Sequence, residues 1–176
     1  MTRQTERGAA GENVRVLGID PGSLATGYGV VEQSTAGMRA LAWGAVRTQA
    51  GQPLPARLRR IYEGLSEVVR VWQPEAAVVE KVFFAENPKA ALTLGQARGV
   101  AVLTIANAEL PLVEYSALEI KQAVVGYGRA AKEQVQEMVR VLLSLPTAPR
   151  PADAADALAA AVCHLHSHAW QRKLAP

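Results

Sequence analysis

The stretch VRVLGIDPGSLATGYGVVE, residues 14–32, decides how the chain is built. Val14–Ile19 is a short apolar run that stops at Asp20-Pro21-Gly22, the pattern of a strand running into a turn. GYGVVE at 27–32 reads as a second strand and RALAWGAVRT at 39–48 as a third. Their connections are short, which predicts an antiparallel meander. Beyond it, Pro53–Pro55 breaks the chain, and Leu58, Ile61, Tyr62, Leu65, Val68, Val69 and Trp72 recur at three- and four-residue steps, an amphipathic helix. AAVVEKVFF, ending at Phe84, is a buried-type strand. Asn87-Pro88 opens a helix to about Ala108, Leu112–Tyr115 is a short strand, and helices follow at about 117–125, 131–145 and 152–169. This order predicts an α/β fold: a mixed five-stranded sheet, a β-meander followed by crossover strands parallel to the first, flanked by helices.

At 176 residues, 49% of them apolar and 20% charged, the composition is that of one globular domain. A single cysteine, Cys163, excludes a disulfide framework and Cys-rich zinc modules. Residues 1–13 are polar with no apolar core, so they read as a flexible arm rather than a signal peptide, and 171–176 as a tail. No apolar run approaches the ~20 residues that span a bilayer, so a cytoplasmic protein is expected. The net charge of +3 speaks weakly about partners. The acids say more. Thirteen of 16 are Glu, leaving only Asp20, Asp153 and Asp156.

Asp20 and Glu80 each end an apolar strand, where open α/β sheets bind ligands. If those strands are neighbours, the two carboxylates stand about 5 Å apart and repel, a conflict that a divalent cation removes. Asp153 and Asp156, three apart at a helix start, share a face and lie at the positive end of the helix dipole. Four hard oxygen donors suit two Mg²⁺ ions, with Mn²⁺ the other candidate, and two such ions serve phosphoryl transfer. Taken singly, Asp153 also fits a helix N-cap and Asp20-Pro21-Gly22 a plain turn. Glu80 is harder to place in an apolar strand without a partner.

Phe83 and Phe84 stand side by side just past Glu80, one suited to the core and the other to stacking on a base. Lys121, Arg129 and Lys132 flank the loop GYGRA at 126–130, a plausible phosphate cradle. Arg57, Arg59 and Arg60 lie off the apolar stripe of the first helix and read as a solubilising face. His164, His166 and His168 alternate around a helix and read as surface residues rather than a metal tract. The segment from Asp20 to Val30 also resembles the first phosphate-binding hairpin of sugar kinases and actin-like ATPases. Those proteins need two such domains around a nucleotide, and this chain holds one.

LGIDPGSLATGYGVV at 17–31, VVEKVFF at 78–84, LGQARGV at 94–100, EYSALEIKQAVVGYGRAAKEQV at 114–135 and ADAADALA at 152–159 together resemble the RuvC family. These are crossover junction endodeoxyribonucleases, the bacterial Holliday junction resolvases. The resemblance implies an RNase H-like nuclease domain over 14–170, and a homodimer that nicks four-way junction DNA symmetrically during recombination and repair. It implies Asp20, Glu80, Asp153 and Asp156 as the catalytic, metal-binding carboxylates. It implies Phe83 as an aromatic that opens the junction, and Lys121 and Lys132 as basic residues needed for activity. Arg129 and Arg98 join them as candidate DNA contacts. A branch-migration complex of the RuvA and RuvB type is the partner it implies.

Overall fold

The computed structural model describes residues 13–81 and 87–174, with side chains as far as Ser167. Strands β1 (Val14–Asp20), β2 (Ala25–Ser34) and β3 (Gly37–Arg47) form the antiparallel meander. Helix α1 (Leu54–Trp72) leads to β4 (Ala76–Glu80), and α2 (Pro88–Asn107) leads to β5 (Leu112–Tyr115). Helices α3 (Ala117–Val125), α4 (Lys132–Leu142) and α5 (Ala152–Leu174) close the chain. The sheet order is β3-β2-β1-β4-β5, with β4 parallel to β1 and β5 parallel to β4. The crossovers therefore place β1, the first strand of the chain, at the centre.

Alternation along the strands separates two cores. Leu17, Ile19, Val30, Ala77 and Val79 bury against Ile61 and Leu65 of α1 and Ala97, Ala101 and Ile105 of α2. Val16, Val31 and Val78 face the other way, against α3, α4 and α5. The amphipathic stripe of α1 buries Ile61, Leu65 and Val68 as its spacing predicts. Its last turn ends at Gln73, a left-handed residue (φ 46°) whose N–H donates to the Val69 carbonyl.

Helix α5 lies unusually close to the sheet, and three glycines allow it. A methyl group at Gly18 would overlap the Ala157 carbonyl, and one at Gly27 would overlap the Asp153 carbonyl. One at Gly29 would stand 2.7 Å from the Leu158 side chain. Alanines at 152, 154, 155, 157 and 159–161 supply the matching thin helix surface. Gly27 and Gly29, which resembled part of a nucleotide-binding hairpin, serve this packing instead.

Candidate active site

Close packing of α5 is what builds the site. Asp20 ends β1 and Glu80 ends β4, and the parallel register Ile19↔Val79 sets them side by side. Because Ile19 and Val79 point toward α1 and α2, Asp20 and Glu80 point toward α5. Asp20 pairs in register with Gly27, the residue against which the Asp153 backbone rests. The first turns of α5 are thus held over the end of β1, bringing Asp153 and Asp156 to the two strand carboxylates.

The electrostatics are those of an undercompensated cluster. Burial, then the charges of Asp156, Asp153 and Glu80, push Asp20 up to about 7 against a partial offset from Lys132. Burial and Asp156 push Glu80 up as well, while Lys121 and Lys132 oppose the rise. Lys132 Nζ lies 2.6 Å from Asp156 Oδ2, and that contact holds the lysine above its ordinary value. Among the described residues, Asp20, Glu80 and Asp153 have neither a hydrogen-bond nor an ion-pair partner, so Asp153 does not cap its helix. A cavity of about 190 Å³ opens beside them, lined by Glu80, Lys121, Lys132 and Asp156 over Ile120 and Val135.

No three His, Cys, Asp or Glu side chains among the described residues converge tightly enough to enclose an ion by themselves. The donor set still fits a divalent cation in kind. It consists of carboxylate oxygens with more negative charge than one ammonium neutralises, which is what Mg²⁺ or Mn²⁺ sites require.

The other candidates separate. Lys121 and Lys132 line the cavity, while Arg129 is exposed outside its lining. The loop glycine Gly126 acts as the left-handed C-cap of α3 (φ 92°). Arg98 lies on the opposite face of the sheet from the carboxylates, in an ion pair with Glu114 of β5. Phe83 and Phe84 lie outside the described residues. His164 and His166 are half-buried rather than surface groups. Their Nδ1 atoms stand 3.0 Å from the Tyr115 hydroxyl and the Ala123 carbonyl respectively. Tyr115, in register with Glu80, went unnoticed in the sequence because it closes an ordinary apolar strand.

A family model described as crossover junction endodeoxyribonuclease RuvC matches residues 16–164, a span that contains all four carboxylates. The chain belongs to the RuvC family. The RuvC of Alkalilimnicola ehrlichii is 57% identical over 160 residues, covering 91% of this chain and 96% of that protein. The structure of Thermus thermophilus RuvC in complex with Holliday junction substrate superposes with a TM-score of 0.85 at 38% identity. That match covers 90% of this chain and 96% of that one. The yeast mitochondrial Holliday junction resolvase, at 15% identity and a TM-score of 0.67, covers 91% of this chain and 81% of its own and shares the fold. The fold is RNase H-like, and the chain is a nuclease.

Proposed function

We infer that this chain resolves Holliday junctions as a crossover junction endodeoxyribonuclease, and that the four carboxylates carry the chemistry. The observation that supports the site assignment is the undercompensated cluster: four acids at one end of the sheet, with one directly paired cation among the described residues, inside the span matched to the family. Nucleases of this family are metal-dependent. In our reading Asp20, Glu80, Asp153 and Asp156 would together hold two Mg²⁺ ions here. Bound there, the ions would supply a water of lowered pKa and charge stabilisation for the leaving 3′ oxygen. Asp20 must lose its proton to serve as a ligand. Lys121 and Lys132, on the cavity wall, are placed to meet a scissile phosphate, leaving 5′-phosphate and 3′-hydroxyl ends.

We also infer a homodimer, the assembly that a two-fold junction calls for, working with a branch-migration complex. Leu92 and Leu103 of α2 are 66% and 53% exposed, with none of the described residues over Gly95 and Gly99 between them, so this helix presents an apolar face for a partner. The test of the activity is a nicking assay in Mg²⁺ on a four-way junction against linear duplex. Paired nicks confined to the junction are expected, and equal cleavage of both substrates would overturn the reading.

A further inference from the structure

Two arginines of this protein are neutralised by an acid on their own helix. Arg70 Nη2 lies 2.6 Å from Glu67 Oε1, and Arg140 Nη2 lies 2.7 Å from Glu137 Oε1. The arginines near the start of α1, read from sequence as a solubilising face, behave differently. Arg57 turns inward, its Nη2 and Nε donating to the Ser23 carbonyl at 2.9 and 3.2 Å. Arg59 is 80% exposed with a long 3.4 Å contact to Glu63. Arg60, and Arg47 at the end of β3, are exposed and make no ion pair or side-chain hydrogen bond with any described residue. Arg47, Arg59 and Arg60 line one groove of about 340 Å³ between the end of β3 and the first turns of α1, together with Gln49, Gln52 and Glu63, while Arg57 is outside its lining.

The groove lies at the catalytic end of the sheet. Arg47 pairs in register with Ala25, as Asp20 does with Gly27, so two interstrand spacings, about 10 Å, separate the strands carrying Arg47 and Asp20. The helical wall of the groove belongs to α1, on the face of the sheet opposite the carboxylates, so DNA that reaches both must pass around the β3 edge of the sheet. With Glu63 set against Arg59, the guanidiniums of Arg47 and Arg60 and the amides of Gln49 and Gln52 are left to suit a polyanion backbone, with no base-reading geometry.

We propose that this groove holds backbone phosphates of a junction arm flanking the cleavage point, with Arg47 and Arg60 as the cations that meet them. The proposal rests on the reading of the chain as a junction nuclease. Binding of a labelled four-way junction to the full chain, measured in EDTA across a salt series, tests it. R47A/R60A should weaken binding about 10–100-fold near 0.1 M salt and lower the slope of log affinity against log salt by about 1.8. Linear duplex should lose affinity in parallel, because phosphates carry no sequence or branch information. R70A/R140A, which removes paired arginines, should leave the slope alone. Single-turnover cleavage by R47A/R60A at saturating protein should match wild type. An unchanged salt slope, or a loss confined to cleavage, overturns the proposal while junction-specific nicking by wild type stands. If wild type shows no preference for a four-way junction, the underlying reading falls and the groove with it.

Discussion

Two carboxylates sit within the meander, and their surroundings push them opposite ways. Glu32 is 1% exposed on the face packed against α1 and α2. It stands in register between Arg15 of β1 and Arg39 of β3, accepting from Arg15 Nε at 2.9 Å and from Arg39 Nη2 at 2.7 Å. Arg15 also donates to the Trp72 carbonyl near the end of α1. Hydrogen bonds from Arg15 and then Arg39 hold Glu32 below the usual carboxylate range. Asp20, on the other face, has three acids around it and one lysine, and is pushed up to about 7. A strand carboxylate with two guanidiniums joins the fold together; one left short of cations is, in the proposed reading, the place for a ligand that brings them.

The largest test of that contrast is Asp20→Asn. It should cut junction nicking by about 10³-fold or more, since an effect of several kcal/mol on the transition state is at stake. Junction binding should hold or tighten, because a negative charge near phosphates is gone. Wild-type nicking by the variant in Mg²⁺ would erase the distinction between the two sites. Glu32 is broken from its partners' side. R15A/R39A leaves a buried carboxylate without cations and should cost about 3–5 kcal/mol in urea unfolding, whereas E32L, which removes the charge itself, should cost far less. Equal losses would mean that Glu32 is held by packing rather than by its arginines.

The contrast also shows what the sequence carries. Strand and helix order was legible because periods of two and 3.6 are local, and β1, β5 and α1–α3 match their sequence reading closely. Asp20 and Glu80 were legible because each interrupts an apolar run at its end. The same rule applied to Glu32 would have flagged it, but a polar residue closing GYGVVE passes for a solvated strand end. Its partners come from two other strands, at a register that no local pattern states. Arg98 likewise looked like a DNA contact, and its acid, Glu114, lies on a strand 16 residues away in sequence. The glycines were visible as glycines. Their use, admitting α5 against the sheet, depends on a helix more than 120 residues later. Long-range complementarity is the part that composition and periodicity do not encode.

The smallest effect expected is also the most direct reading of the charge imbalance. Asp20 has a folded value of about 7 against an ordinary 3.8, so between those limits the folded chain keeps a proton that the unfolded chain has lost. Stability of the protein in EDTA must therefore fall as pH rises through that window, by no more than about 4 kcal/mol from this group. Glu80, also raised, adds in the same direction. Glu32 is lowered, so its contribution is complete above the ordinary glutamate value of 4.5, is lost only as pH falls below it, and stays level from pH 5 to 8. Thermal unfolding in EDTA should accordingly show Tm dropping from pH 5 to 8 in wild type and a flatter profile in Asp20→Asn. Taking the difference between the two proteins removes the titration of the histidines, which both share. Added Mg²⁺ should recover the lost Tm at pH 8 more than at pH 5, because an ion that binds the deprotonated cluster competes with protons there. A wild-type profile parallel to that of Asp20→Asn would show that neither burial nor the neighbouring acids hold a proton on Asp20, and the asymmetry with Glu32 would be lost.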